Sequence, residues 1–314
     1  MKIHFTKMHG IGNDFILIDC IQQCFGIAPP LSPPYQGGEI WEGGSALIDT
    51  AKRLCHRRFG IGADQILILS PSSIADFRMK IFNADGSEVE MCGNGIRCLA
   101  KYIWDRNLSA KNILNIETLA GIIKPEKAGN LVRVDMGEPI FEPEKIPVNI
   151  PPPNPLLAKG GGGGLNSKLE ARSSKPIIDY SLHIADKDFK ITCVSMGNPH
   201  VIIIVDDVAS FPVTYYGPMI ETHSIFPRKS NVEFIQVLTR KAIKMRVWER
   251  GSGETMACGT GASAAAVAGR VKGLTDSTVT VHLLGGDLLI EWADNNHVYM
   301  TGPAIKVFEG VFDL

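Results

Sequence analysis

The sequence has no excess of charge of either sign and no long apolar run. Among its 314 residues, 32 are Lys or Arg and 33 are Asp or Glu, so the formal net charge is −1. Proteins that bind nucleic acid or anionic membranes by charge usually carry a basic excess, which argues against both partners. The apolar runs, such as 201–205, are far shorter than the roughly 20 residues of a membrane-spanning helix. We therefore expect no membrane span.

Signatures of several other protein classes are also missing. The seven cysteines are an odd, scattered set without a CxxC pair, so neither a disulfide framework nor a zinc ribbon is indicated. There is no P-loop, and Gly10-Ile11-Gly12 lacks the third glycine of a dinucleotide-binding turn. The first residues do not resemble a signal peptide, which predicts a cytoplasmic protein. We expect neither a metal nor a cofactor.

What the sequence does contain is the composition of a globular protein, with 45% hydrophobic and 21% charged residues. Short runs rich in β-branched residues predict that strands dominate. Helical patterns stand out only after Cys92 and over 262–271. Two Pro- and Gly-rich stretches, near 21–47 and 151–178, are predicted to be surface loops or linkers without a chemical role.

The most informative feature is an internal duplication, visible when the halves are aligned on Cys92 and Cys258. Each cysteine directly precedes a G-x-G turn and then a helical pattern. Polar residues match upstream: Gln65 and Asn231 stand 27 positions before their cysteines, and Asn83 and Glu249 stand nine positions before them. The repeat predicts two similar α/β halves, each contributing one cysteine.

The position of these cysteines suggests their chemistry. Free N–H groups and the helix dipole stabilise a thiolate at a helix N-terminus, so we expect both pKa values to fall below the usual value of about 8.5. The same N–H groups can bind a carboxylate. If the halves face each other, one thiolate can remove an α-proton while the opposite thiol protonates the other face, which inverts the stereocentre. Either motif alone is more typical of a buried structural cysteine than of a catalytic one.

Three long segments resemble the signature blocks of the diaminopimelate epimerase family. They read FTKMHGIGNDF at 5–15, NADGSEVEMCGNGIRC at 83–98 and ERGSGETMACGTG at 249–261. Segments 196–200, 216–218 and 230–234 match shorter blocks of the family.

The resemblance implies an α+β fold of two pseudo-symmetric domains, each a mostly antiparallel sheet curled around a central helix, with the active site in the interdomain cleft. It places the N-terminal half at 1–136, completed by a C-terminal strand near 303–314, and the C-terminal half at 137–302, which carries the insertion near 151–178. It also implies a homodimer.

The resemblance further implies an isomerase that epimerises LL-2,6-diaminopimelate to the meso isomer by a two-base mechanism without PLP, in the synthesis of lysine and peptidoglycan precursors. Cys92 and Cys258 would be the acid/base pair, and Glu249 and His200 would lie beside the reacting centre. Substrate-binding residues carried over from the family are Asn13, Gln65, Asn83, Gly93, Asn94, Asn198, Asn231, Glu249, Arg250, Gly259 and Thr260.

For some of these residues a role outside binding and catalysis stays open. Gln65 is equally well a structural amide at a strand edge, Glu249 a solvated residue and His200 a structural loop residue. Arg250 is suited to a bidentate contact with the distal carboxylate of the substrate. The remaining cysteines are expected to be structural: Cys20, Cys24, Cys55, Cys98 and Cys193.

Three other functions compete with this interpretation. A proline racemase or hydroxyproline epimerase shares the two-cysteine logic, but its compact substrate has no distal amino-acid end for Arg250 and the amides to bind. A thiol redox or peroxide sensor would use Cys92 with Cys98 or Cys258. A catalytically silent binding protein would not need two apposed thiols.

Overall fold

The computed structural model describes residues 2–21, 45–150 and 175–314. Cys24 and most of both Pro- and Gly-rich stretches lie outside the described residues. The chain divides into two compact units. Unit 1 contains Met1–Met136, Gly285–Leu289 and Tyr299–Leu314, and unit 2 contains Gly137–Leu284 and Ile290–Val298.

The bounds of the predicted halves are implied by the resemblance, and they stay a prediction. Residues 285–289 and 299–302, which that prediction assigns to the second half, group with unit 1.

The described residues form 19 strands and four helices. In chain order they are β1 (Lys2–Gly10), β2 (Asn13–Asp19), α1 (Ser45–Cys55), β3 (Gln65–Ser70), β4 (Phe77–Asn83), β5 (Glu88–Val89), α2 (Gly93–Asp105), β6 (Ile116–Thr118), β7 (Gly121–Ile123), β8 (Glu126–Ala128), β9 (Leu131–Asp135), β10 (Tyr180–Ile184), β11 (Lys187–Ser195), β12 (Pro199–Ile204), α3 (Val213–Glu221), β13 (Asn231–Thr239), β14 (Ala242–Glu249), β15 (Gly253–Thr255), α4 (Gly259–Val271), β16 (Thr278–Leu283), β17 (Gly286–Trp292), β18 (Val298–Gly302) and β19 (Ile305–Asp313).

The principal sheet of unit 1 has the order β19-β1-β2-β3-β4-β6-β7, with β5 paired to β4. Strands β2 and β3 are parallel, as are β4 and β6, and the other neighbours are antiparallel. Ile16, Ile18, Ile66 and Ile68 pack in one cluster with α1, while α2 contacts β1, β2, β3 and β4. The central strands are covered on both faces, which explains why their sequences are continuously apolar.

Unit 2 repeats the order and pairing of seven of these eight strands. Its sheet contains the order β10-β11-β12-β13-β14-β16, with β15 paired to β14. Strands β12 and β13 are parallel, β14 and β16 are parallel, and the remaining neighbours are antiparallel. Helix α4 packs against β11, β12, β13, β14 and β16. The α+β class and the two mixed, mainly antiparallel sheets, each associated with a helix that follows a cysteine, confirm the predicted fold class.

Two helices were not predicted from the sequence. Helix α1 begins where a Pro- and Gly-rich stretch ends. Among its residues 48–55, only Ala51, Leu54 and Cys55 bury against the sheet. Helix α3 contains Pro218, which normally argues against a helix interior. It also contains Gly217, where a Cβ would come within 2.6 Å of the Trp248 ring. That close approach explains why the residue is a glycine. Because glycine and proline are both unfavourable in helices, the sequence of this segment does not predict one.

Candidate active site

The first candidate half-site lies at the start of α2 in unit 1. Cys92 is the N-cap residue, with φ −136° and ψ 114°, and its sulfur accepts the Gly95 N–H at 3.4 Å. A side chain at position 95 would place its Cβ 3.0 Å from Leu67 and 3.4 Å from Phe15. The glycine thus allows the helix start to lie directly on the sheet, with its first N–H groups beside the thiol.

Two asparagines connect this helix start to the β1–β2 turn. Asn94 Nδ2 donates to Asn13 Oδ1 at 3.2 Å, and the Cys92 thiol donates to the same oxygen at 3.7 Å. Asn13 in turn donates to Asp64 Oδ2 at 2.9 Å. Asp64 was not predicted, and it orients the amide of a predicted binding residue.

Gln65 and Asn83 face each other across β3 and β4 in the same unit. Gln65 Nε2 donates to Asn83 Oδ1 at 2.8 Å, and Asn83 Nδ2 donates to Ser87 Oγ at 2.9 Å. Gln65 Oε1 is buried and accepts no hydrogen bond within the described ranges. Both residues therefore have at least a structural role, and their part in binding stays a prediction.

The second candidate half-site lies at the start of α4 in unit 2. Cys258 is the N-cap residue, with φ −128° and ψ 113°. Its sulfur lies 3.5 Å from Thr260 Oγ1, which accepts from Asn198 Nδ2 at 3.3 Å. Cys258 is buried, with 5% exposure, whereas Cys92 is partly exposed.

Beneath this helix start lies a fully buried pair formed by His200 and Glu233. His200 Nδ1 is 2.7 Å from Glu233 Oε1, and His200 Nε2 is 2.9 Å from Asn198 Oδ1. Asn198 donates through its nitrogen to Thr260, so its oxygen accepts from Nε2–H of the histidine. Nδ1 and Glu233 therefore share one proton, either as imidazole and carboxylic acid or as an ion pair. Glu233 was missed, although an acid inside the apolar strand VEFI is itself a signal.

Glu249, which the resemblance places beside the reacting centre, lies next to Cys258. Its carboxyl accepts from Thr255 Oγ1 at 2.5 Å and is hydrogen-bonded to the Cys258 thiol. Burial raises the pKa of Glu249, against the opposing effect of those two hydrogen bonds. Glu249 is thus partly buried at the end of its strand and hydrogen-bonded to two neighbouring side chains.

The expected fall in thiol pKa is wrong for Cys258. Burial raises the pKa of this thiol well above its ordinary value, and the nearby Glu249 and Glu233 carboxyls raise it further. Hydrogen bonds from Thr260 and from the Gly261 N–H act in the opposite direction but do not outweigh them. Desolvation therefore exceeds the stabilisation that a helix N-terminus provides here.

Arg250 and Asn231 lie together at the end of β14. Asn231 Oδ1 accepts the Arg250 backbone N–H at 2.9 Å, and its amide nitrogen donates to Pro199 O at 3.0 Å. The Arg250 guanidinium is exposed and donates from Nη1 to Arg228 O at 3.1 Å. Asn231 thus fixes the backbone that carries Arg250.

The predicted residues fall into two sets. Cys92, Gly93, Asn94, Asn13, Gln65 and Asn83 lie in unit 1, and Cys258, Gly259, Thr260, Asn198, His200, Asn231, Glu249 and Arg250 lie in unit 2. Of the cysteines expected to be structural, Cys55, Cys98 and Cys193 are buried and Cys20 is partly buried. Within the described part of the chain, no helix is long and apolar enough to cross a membrane, and no cluster of three or more metal-ligand side chains occurs.

Comparison with known proteins shows which family this chain resembles. The model of a family described as diaminopimelate epimerase matches residues 5–142 and 192–307. A protein of Moorella thermoacetica named diaminopimelate epimerase is 49% identical over 319 residues, covering 99% of this chain and 100% of that protein.

Solved structures show the same fold at low identity. A Bacillus anthracis phenazine biosynthesis protein of the PhzF family matches with a TM-score of 0.65 and 17% identity over 100% of both chains. A hydroxyproline epimerase from Agrobacterium vitis matches with a TM-score of 0.63 and 12% identity, covering 99% of this chain and 92% of that one. Identities this low establish the fold alone.

Proposed function

Because the chain belongs to the diaminopimelate epimerase family and is an isomerase, we propose that it interconverts LL- and meso-2,6-diaminopimelate by a two-base mechanism without a cofactor. The observation that carries this proposal is the pair of equivalent helix starts, each with a cysteine as N-cap. A redox sensor or a binding protein would not require the same cap, turn and helix in both units.

The reaction exchanges protons and changes no oxidation state. The thiolate of one cysteine takes the α-proton, and the C–H electron pair is delocalised onto the substrate carboxylate. The thiol of the other cysteine then donates its proton to the opposite face, so that the first sulfur is left protonated and the second is left as a thiolate. The proposal requires both sulfurs to reach the same α-carbon, one on each face.

Backbone donors supply the electrostatic stabilisation in this mechanism. The N–H groups at positions 93, 94, 259 and 260 lie in the first turns of α2 and α4, where they have no partner within their helices. We assign them to the carboxylate of the reacting centre, whose negative charge grows as the α-proton leaves. Dipoles fixed in the fold need no rearrangement during that step.

We assign the α-ammonium group to the polar side of Cys258. The carboxyl of Glu249 lies next to this thiol and provides acceptor oxygens for an ammonium, and Asn198 Oδ1, which accepts from His200 Nε2, has a second lone pair for it. Arg250 is assigned to the distal carboxylate, because its exposed guanidinium is anchored at only one nitrogen within the described residues. Fixing the distal end in this way selects one of the two stereocentres.

We also propose a cytoplasmic homodimer that acts in the synthesis of lysine and peptidoglycan precursors. Strand β19 is an edge of its sheet and exposes Val307, Phe308 and Val311 by 54%, 47% and 52%. An exposed apolar edge strand is a usual site of self-association. Light scattering tests this: a dimer that Val307→Lys and Phe308→Lys convert to a monomer supports it, and a monomeric native protein contradicts it.

Proton NMR in D₂O tests the reaction itself. The reduced protein is given LL-diaminopimelate, or L-proline in a parallel sample, without added cofactor. We expect loss of the α-proton signal and appearance of the meso isomer with diaminopimelate only, and loss of both effects in Cys92→Ala and Cys258→Ala. Exchange with proline alone would instead support the imino-acid isomerase that shares this fold.

A further inference from the structure

A chain of side-chain hydrogen bonds beside Cys92 runs from Arg97 to Asp64, all within unit 1. Arg97 Nη2 donates to Asn94 Oδ1 at 2.9 Å, and Asn94 Nδ2 donates to Asn13 Oδ1 at 3.2 Å. Asn13 Nδ2 then donates to Asp64 Oδ2 at 2.9 Å. We call this row of a cation, two asparagines and an anion the amide clamp.

The two ends of the amide clamp allow only one direction for its hydrogen bonds. A guanidinium has donors and no acceptor, and an ionised carboxyl group has acceptors and no donor. Arg97 therefore turns the oxygen of Asn94 toward itself, and Asp64 turns the nitrogen of Asn13 toward itself. An asparagine turned the other way would bring two donors or two acceptors together. The oxygen of Asn13 is consequently the end of its amide that faces α2.

Both ends of the clamp are held by further contacts. Arg97 is 0% exposed and also donates from Nε to Pro303 O at 3.3 Å. Asp64 is exposed, but its carboxyl also accepts from Arg57 Nη2 at 2.6 Å and from the Asp14 N–H at 3.1 Å. Neither end therefore depends on the asparagines alone for its position.

Cys92 contacts the clamp at the oxygen of Asn13. Its thiol donates to Asn13 Oδ1 at 3.7 Å. Because the clamp turns an oxygen toward the sulfur, the sulfur must supply the hydrogen of this contact. The sulfur also accepts the Gly95 N–H at 3.4 Å, which a thiol can do at the same time. A thiolate in this place would instead face the lone pairs of the Asn13 oxygen.

The equivalent positions in unit 2 carry no charged side chain. At the spacing that separates the two cysteines, Ser230, Thr260 and Ser263 take the places of Asp64, Asn94 and Arg97. Asn198 takes the place of Asn13, as the matched strand registers show. Its nitrogen, and not its oxygen, points to the helix start, since Nδ2 donates to Thr260 Oγ1 at 3.3 Å. The orientation of Asn13 therefore comes from the clamp and not from the shared backbone.

We propose that Asp64 and Arg97 are positioning residues that orient Asn13 so that it holds Cys92 as a hydrogen-bonded thiol. This inference rests on the proposed function, and it deepens it by presenting Cys92 as the acid. When Cys258 removes the α-proton, Cys92 gives its thiol proton to the opposite face of the carbon. The thiolate left behind faces the Asn13 oxygen, which favours its reprotonation from solvent, while Cys258 loses the proton that it took.

Infrared spectroscopy of the reduced protein without substrate tests the orientation. The S–H stretching band of Cys92 is obtained at pH 6 as the difference between the native protein and Cys92→Ala. A thiol that donates a hydrogen bond absorbs at lower frequency than one that does not. We therefore expect the native band to lie below the band that Cys92 shows in Asn13→Leu. Equal frequencies, or no S–H band from Cys92, would overturn the proposal.

Variants at position 64 test the cause. Asp64→Ala removes the acceptor that orients Asn13, so the Cys92 band is expected to move toward its frequency in Asn13→Leu. Asp64→Asn removes the charge but keeps an acceptor oxygen, and it is expected to keep the native band. Ser230→Ala is the matched control at the equivalent position of unit 2, and it is expected to leave the band unchanged. A native Cys92 band in folded Asp64→Ala would contradict the proposal.

Position 97 and the reaction supply two further checks. Arg97→Lys keeps a side chain that only donates and is expected to keep the band, whereas Arg97→Gln is expected to move it; near-UV circular dichroism shows whether each variant is folded. In the epimerase assay, Asp64→Ala is expected to lower kcat about 10- to 100-fold, with most of the loss restored in Asp64→Asn. A merely structural role for Asp64 would lower kcat without moving the band, and because the band is recorded without substrate, its result does not depend on whether diaminopimelate is the substrate.

Discussion

Glu233 Oε1 lies 2.7 Å from His200 Nδ1, and neither side chain is exposed to solvent. The corresponding place in unit 1, under Gly95, is occupied by Leu67 and Phe15. His200 pairs with Asn231 in the same register in which Phe15 pairs with Gln65. The two units therefore share this backbone arrangement, but unit 1 has an apolar contact where unit 2 has an acid and a base beside its cysteine.

The shared proton of this pair leads to a first prediction. Glu233→Gln keeps a donor for His200 Nδ1 and is expected to remain close to native stability. Glu233→Leu leaves Nδ1 buried without a partner and is expected to lose about 1 to 3 kcal/mol. Urea unfolding measures both variants. Equal losses in the two variants would show that the hydrogen bond to Nδ1 does not matter.

A second prediction concerns the glycines under the two helix starts. A Cβ at Gly261 would lie 2.6 Å from the buried Glu233 Oε1 and 3.3 Å from the Cys258 sulfur, whereas a Cβ at Gly95 would meet Leu67 Cδ2 at 3.0 Å. Leu67 can yield at its flexible end, but the paired Glu233 cannot.

Gly261→Ala is therefore expected to destabilise the protein by about 1 to 3 kcal/mol, as overpacking usually does, and Gly95→Ala by less. Thermal unfolding compares the variants, and α-proton exchange shows whether the displaced Cys258 still functions. A larger loss in Gly95→Ala than in Gly261→Ala would contradict the steric argument.

The sequence predicts which residues form the site better than it predicts their charges and pKa values. The cysteines, the G-x-G turns and most of the matched polar positions lie in continuous motifs, and the resemblance of those motifs to the family implies the α+β fold. The pairing of the buried Glu233 with His200 does not follow from it, because these two residues are brought together only on folding. The expected pKa of Cys258 was wrong for this reason, since burial and two carboxyls outweigh the helix dipole.

The Asp14 network leads to a third prediction. Burial alone would raise the pKa of Asp14, but hydrogen bonds from Arg57 and Lys7 outweigh it and hold the pKa well below its usual value. A carboxyl whose pKa is lowered on folding stabilises the protein above its unfolded pKa of about 3.9, and this contribution is lost as pH falls toward the folded value.

Asp14→Asn is expected to be less stable than the native protein at pH 6, and the difference is expected to shrink steadily below about pH 4. Urea unfolding at a series of pH values measures it. A difference that is independent of pH would mean that Asp14 acts only as a neutral hydrogen-bond acceptor and that its charge contributes nothing.

The last prediction concerns Glu221, which holds the turn that follows Arg250. Glu221 is 6% exposed. Its carboxylate accepts from Trp248 Nε1 at 2.8 Å and from the Gly251 N–H at 3.1 Å, and it pairs with Lys229 at 3.3 Å. Burial alone would raise the pKa of Glu221, but these contacts outweigh it and lower the pKa. The side chain is therefore ionised at neutral pH and fixes the backbone beside Arg250.

Glu221→Gln replaces one acceptor oxygen with a donor that faces another donor, so we expect the turn and the Arg250 guanidinium to shift. If Arg250 binds the distal carboxylate, KM for diaminopimelate rises about 10-fold or more in Arg250→Lys, because a charged hydrogen bond is worth about 1.5 to 3 kcal/mol. Glu221→Gln is expected to raise KM in the same sense with a smaller change in kcat. A fall in kcat at constant KM in both variants would instead place Arg250 at the reacting centre.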